Sequence, residues 1–288
     1  MENHMTKKKI ISLAMVFAMV AALAIGGTLA YFTDTDDAIN TFTVGSVEIR
    51  LNEDERKAKE NGALQDFTDD KKLLPLVGSA QSDDKTTVDN SEYGVNAEWQ
   101  VPNAANWVDK IVSVTNTSTE TAYVRVLFAF PAKMDDADSA ANMMMHWNHD
   151  GNMPAGVWSQ ADAGVKVDIG PEMVDNESYN DYNVYNYTYL LPLDAGKTTE
   201  WPAITGVYID SRVDATQWGE NGPITYYLKD EKAGLNKEAY FVAGDGPKMY
   251  VLAQAVQADG FADAFEALEA GFPDLEGNVQ DWFNAIQD

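Results

Sequence analysis

Ala122-Tyr123-Val124-Arg125-Val126-Leu127-Phe128-Ala129-Phe130 is a run of β-branched and aromatic side chains closed by Pro131. Such runs are strand signals, and a proline ends one by removing a ladder donor. The same signal recurs along the chain. Thr41–Leu51 alternates apolar and polar side chains and shifts phase after Gly45, which predicts a bulge or bend. Lys110–Asn116 is a further strand, and Asn116-Thr117-Ser118-Thr119 has turn chemistry, so 110–116 and 122–130 are expected to form a hairpin. More strands are expected at 163–169, 183–191, 204–210, 224–228 and 248–257. Short strands joined by polar turns predict a mainly β fold, an antiparallel sandwich.

The segments between them read as helical or irregular. Glu53–Glu60 is charged and reads as a short solvated helix, and the polar stretch 64–105 as a long connection. Asp138–Trp147 is compatible with a helix capped by Asp138 or Ser139. Phe261, Phe265 and Leu268 fall at i, i+4 and i+7 and predict an amphipathic helix over 261–270. Val279, Phe283 and Ile286 suggest a last, C-terminal helix. With no internal repeat or low-complexity linker, the expected organisation is a leader at 1–30, an N-terminal strand segment at 31–51 and one domain at 52–288. Insertions are expected at about 52–105, 131–180 and 211–247.

Charge and cysteine usage exclude several functions. The 288 residues carry a net charge of −26 and no cysteine. Disulfide scaffolds, cysteine-ligated metals and cysteine nucleophiles are therefore excluded, and an acidic chain is a poor partner for nucleic acid. The charge is uneven: residues 1–30 hold Lys7, Lys8 and Lys9 against Glu2, and the remainder carries −28. After the lysines comes a stretch that is apolar through Ile25, then Gly26, Gly27 and the small-residue site Thr28-Leu29-Ala30. This is the pattern of a secretory signal peptide, with cleavage expected between Ala30 and Tyr31. An uncleaved anchor is the competing reading, although Ile10–Ile25 is 16 residues, short of the roughly 20 that span a bilayer. Trp282–Asp288 holds neither an apolar run nor a basic tail, so no C-terminal sorting anchor is expected.

Candidate chemistry is sparse. His146 and His149 flank Trp147 and Asn148, but zinc proteases place histidines at i and i+4 of a helix with a glutamate beside the first. The pair is a weak metal candidate, and no cofactor is expected. Asp34, Asp36 and Asp37, and also Asp135, Asp136 and Asp138, resemble the start of a calcium loop, yet Ile39 stands where the first loop needs glycine. No nucleophile elbow, phosphate loop or dinucleotide fingerprint is present. Tyr185, Tyr187 and Tyr189 share one strand face within the tyrosine-rich stretch Tyr179–Tyr189. They are either a sugar-stacking platform or a strand face packed on the core or on a neighbouring subunit.

One stretch is more specific. Gly26-Gly27-Thr28-Leu29-Ala30-Tyr31-Phe32-Thr33-Asp34, followed by Asn40-Thr41-Phe42-Thr43-Val44-Gly45-Ser46-Val47-Glu48-Ile49, resembles the exported family with SipW-dependent signal peptides, the TasA/camelysin group. Looser matches follow in order: Leu74–Gly78, Val112–Val126, Leu191–Thr199 and Ala253–Phe261. The resemblance implies a jelly-roll-like β-sandwich, processing by a SipW-type signal peptidase, and a structural role outside a Gram-positive-type cell, in a matrix fibre or surface coat. It implies homo-oligomeric assembly by donor-strand exchange, with an accessory matrix protein as a further partner. Phe32, Phe42, Val44, Val47 and Ile49 would then anchor the donor strand. The alternative is a monomeric adhesin or glycan-binding module. A camelysin-like metalloprotease stands third, because the ligand spacing that activity needs is missing.

Overall fold

A computed structural model describes residues 26–27, 40–68, 71–132, 134–135, 144–160, 165–168, 173–174, 177–178, 181–217, 224–230, 235–236, 241–243 and 248–285. The main strands are β1 (Asn40–Val44), β2 (Ile49–Ala58), β3 (Asn61–Asp66), β4 (Val108–Asn116), β5 (Ala122–Pro131), β6 (Met145–Asn148), β7 (Trp158–Gln160), β8 (Val165–Asp168), β9 (Asp181–Tyr189), β10 (Ile204–Ile209), β11 (Val213–Gln217), β12 (Ile224–Asp230) and β13 (Tyr250–Gln257). Two helices close the described chain, α1 (Ala264–Gly271) and α2 (Leu275–Ala285). The fold is mainly β, as the alternation predicts.

Two larger sheets carry the architecture. Sheet one runs β1-β13-β5-β9-β7, with β8 also on β9 and Gly26–Gly27 on the outer side of β1. Sheet two runs β3-β2-β4-β10-β6. Every pairing in them is antiparallel except β1 on β13, which is parallel. The β11–β12 hairpin, with Leu235–Asn236 and Phe241–Ala243, makes a smaller sheet.

The expected hairpin of 110–116 and 122–130 does not form. β4 pairs with β2 and β10 in sheet two, whereas β5 pairs with β13 and β9 in sheet one. The turn at 117–121 is a corner from one sheet to the other. Asn116 builds that corner: its buried Nδ2 donates to the carbonyls of Glu120 and Leu193. Gly45 marks a similar crossing. The single strand read over 41–51 is two strands in two sheets, parted at Gly45, whose φ of +94° suits glycine.

The core between the sheets takes Val124, Val126, Phe128 and Phe130 from β5, and Val112, Val114, Val207 and Ile209 from sheet two. Phe130 stacks on Trp147 of β6, 4.4 Å between centroids, which ties the sheets together. The other side chains of β5, Tyr123, Leu127 and Ala129, join a second core with Ala264, Ala267, Leu268, Phe272, Val279 and Phe283 of the helical end. β5 is therefore buried along its whole length. Both C-terminal helices fall where the periodicity puts them, but Phe265 is 53% exposed, and Ala264, Ala267 and Leu268 make the buried stripe of α1.

The expected helix at Glu53–Glu60 is instead the second half of β2, which turns into β3. Three of its charges are paired rather than solvated. Arg56, Glu53 and Glu55 meet Asp109, Lys110 and Lys71 respectively. The connection over 64–105 carries two short strands, Lys85–Thr87 and Gln100–Pro102, and one turn of 3-10 helix, Ser91–Tyr93. At Asp138–Trp147, the described part is the start of strand β6 rather than helix.

Candidate functional site

β1 is the candidate that geometry favours. Thr41, Phe42, Thr43 and Val44 lie parallel to Ala253, Gln254, Ala255 and Val256 of β13. On its other side β1 meets only Gly26 and Gly27, opposite Thr41 and Asn40, among the described residues. Among the described residues it is thus an edge strand outside that two-residue patch. Val44 packs partly buried against the second core. At the crossing, Gln257 Oε1 accepts from the Ser46 backbone N–H at 3.5 Å. Val47 and Ile49, beyond the crossing, are 2% and 8% exposed in the core between the sheets. The sequence-read anchors therefore divide: Phe42 and Val44 belong to the edge strand, while Val47 and Ile49 belong to the body. Ala30, Tyr31, Phe32, the Asp34–Asp37 cluster, Asp136 and Asp138 lie outside the described residues.

Beneath α1, two buried side chains went unread in the sequence. Arg125, in mid-strand β5, donates from Nε to Gln254 Oε1 at 2.6 Å and from Nη2 to the Phe272 carbonyl at 3.4 Å. Its guanidinium lies 5.7 Å from the Phe272 ring and 5.4 Å from the Trp282 ring. Burial lowers its pKa to about 10, against the pull of Glu269, and it remains a cation at neutral pH. A lone arginine in an apolar run is the signal that could have marked a second covering layer.

His146 and His149 do not converge. His146 lies in β6 and His149 just past its end, and their rings take separate partners. His146 Nε2 lies 3.0 Å from Asp210 Oδ2, with its ring stacked on Tyr208. His149 Nδ1 lies 2.7 Å from the Ala203 carbonyl oxygen, and its Nε2 is 3.4 Å from the Tyr187 hydroxyl. Burial works against the Asp210 carboxylate, but hydrogen bonds from His146 and Arg212 outweigh it and hold its pKa below the usual range. Among the described residues no group of three His, Asp or Glu is placed to hold a metal ion. The histidines do not fit a shared zinc.

The tyrosine face is settled by burial. Tyr185, Tyr187 and Tyr189 are 6%, 0% and 4% exposed and line the core between the sheets. They form no platform for a sugar. Tyr187 accepts from the Trp147 indole, and burial drives its own pKa up.

Residues 5–60 match the family model described as camelysin metallo-endopeptidase. The chain is TasA/camelysin-like over this stretch. The match runs from residue 5 through β1 and the Gly45 crossing to the end of β2, so it takes in the edge strand and its attachment to the body. No curated protein and no solved structure matches the chain. Among the described residues, no helix is long and apolar enough to cross a membrane.

Proposed function

We propose that the chain is a secreted, non-enzymatic subunit of a bacterial matrix fibre or surface coat, whose copies join by exchanging N-terminal strands. The observation that carries the reading is the placement of β1. Among the described residues it is held by a backbone ladder to β13 and, on its other side, by Gly26 and Gly27 alone, and it is joined to the body through a glycine crossing, while the rest of the β-sandwich has its own core. A strand so placed can add to the same edge of another copy, where main-chain hydrogen bonds supply the attachment. A head-to-tail contact that does not close gives a filament. The N-terminal match to an exported family supports secretion, with a SipW-type peptidase removing residues 1–30 and an accessory matrix protein as a further partner.

The strongly acidic body fits subunits that repel one another until linked, so added salt, divalent cations or acid should ease assembly. The direct test is deletion of residues 31–44, leaving Val47 and Ile49 in their core, followed by electron microscopy of secreted protein. Filaments of normal morphology from the deleted form would overturn strand exchange. The description of the matched family favours a second reading, a metallo-endopeptidase. Stoichiometric zinc together with chelator-sensitive casein cleavage, lost in His146→Ala or His149→Ala, would establish it instead.

A further inference from the structure

We infer that the end of α1 selects which strand occupies the β13 edge, and that Gly271 is the specificity-determining residue. The inference rests on the strand-exchange reading and names the part of the acceptor that recognises the donor. Gly271 is the last residue of α1. A Cβ there would run into the Cγ2 methyl of Val256 and sit 3.5 Å from both Cβ and Cγ2 of Val44. Val44 and Val256 are register partners, so the helix end rests on the same rung of both strands. Arg125 fixes that end from below through the Phe272 carbonyl and the Phe272 and Trp282 rings. On the far side of the rung Gln257 receives the Ser46 N–H, and a Cβ on Gly45 would come within 3.0 Å of the Gln257 Cβ.

The seat is therefore not a bare sheet edge. It is a slot with β13 as its wall, the bare end of α1 as its roof and Gln257 as its stop, and it reads position 44. Its occupant is the Asn40–Val44 strand of a second copy in the fibre. Any side chain at 271 lifts the roof off the rung, because Val256 is held by its own strand and cannot give way without loss of packing.

The absence of native cysteine makes disulfide trapping a clean test. Thr43 and Ala255 are register partners. Full-length chains carrying Thr43→Cys and Ala255→Cys, co-expressed and secreted together, form disulfide-linked dimers when strands pass between copies. Adding Gly271→Val to the Ala255→Cys copy should lower the dimer yield about tenfold or more. Adding Val256→Ala to that same copy should restore it, which also shows that the variant folds. Undiminished dimers with Gly271→Val overturn the inference and leave strand exchange standing. If no mixed dimer forms even with Gly271 intact, strand exchange fails, and a single chain bearing both cysteines then decides. A fall in its internal disulfide with Gly271→Val, restored by Val256→Ala, supports the slot for the chain's own strand; an unchanged internal disulfide overturns it.

Discussion

The two sheets are covered differently: helices seal one by apolar contact, while the insertion over the other adds a buried polar grip to the apolar packing of Leu73, Val88, Trp99 and Val101. Sheet one is sealed by α1 and α2 through an apolar layer of Leu127, Tyr250, Leu252, Leu268, Val279 and Phe283. Sheet two is gripped by its insertion through directed polar contacts. Arg56 donates from Nε and Nη2 to the two carboxylate oxygens of Asp109, and from Nη1 and Nη2 to the carbonyls of Val101 and Pro102. Lys59 Nζ reaches the Ala104 carbonyl at 2.8 Å, and the Tyr93 hydroxyl donates to Asp54 Oδ2 at 2.6 Å. Apolar burial is non-directional and insensitive to pH. A buried polar grip fixes one register, and it exacts its cost when a single partner is lost. The seal lies over the edge where β1 sits; the grip holds the rest of the body.

The contrast breaks first at the grip. Asp109→Ala strands the Arg56 guanidinium, whose side chain is fully buried, and should cost about 3–5 kcal/mol in denaturant unfolding. A midpoint that does not move would mean the clamp is dispensable. On the sealed side, Leu268→Ala should cost about 3 kcal/mol by cavity formation, with little change between pH 5 and pH 8.

The pH response itself separates the faces. Burial raises the Asp54 pKa to about 7, the Tyr93 hydrogen bond opposes this, and Glu92, Asp66 and Glu53 add to the rise. The folded chain thus holds a proton that the unfolded chain releases near pH 4. Stability should fall as pH rises from about 4 to about 7 and level off above, with a contribution of up to about 1.4 kcal/mol per pH unit from this group. Asp54→Asn should flatten that slope, as read from unfolding midpoints across the range; a slope that survives the substitution assigns it elsewhere. The smallest effect is local to α1. Asp263 Oδ1 accepts from the Glu266 N–H at 2.9 Å, and Glu266 reaches back to the Ala262 N–H. Asp263→Ala should cost about 1 kcal/mol and should loosen the roof over Val44, seen as faster amide exchange in α1.

Strand existence was legible because composition reports it directly: β4, β5, β9, β10, β12 and β13 overlap their expected spans. Pairing was not legible at Asn116. Turn residues state that the chain bends, not whether the next strand returns in its own sheet or in the facing one. The continuous burial of β5 held the answer, since a strand apolar on both faces needs a layer on each. Glu53–Glu60 misled because its charges find partners far along the chain, at Lys71, Asp109 and Lys110, and isolated charges read as solvated. In the candidate site, Val44 was legible from alternation. Gly271 was not, because the need for a bare backbone arises only where a helix end meets two strands from opposite ends of the sequence.

The pairing of β1 with β13 also sets an order in time. Ser46 and Gln257, which meet at the crossing, are 211 residues apart. A chain made from its N-terminus presents β1 while its partner strand does not yet exist. Sheet one cannot close until almost everything has arrived, a topology of high contact order that folds slowly. During that interval β1 is an unpaired strand beside whatever finished copies stand nearby. Its own tether gives its own β13 an advantage in local concentration. On the strand-exchange proposal, the neighbours present at that moment compete with the chain's own β13 for its first strand.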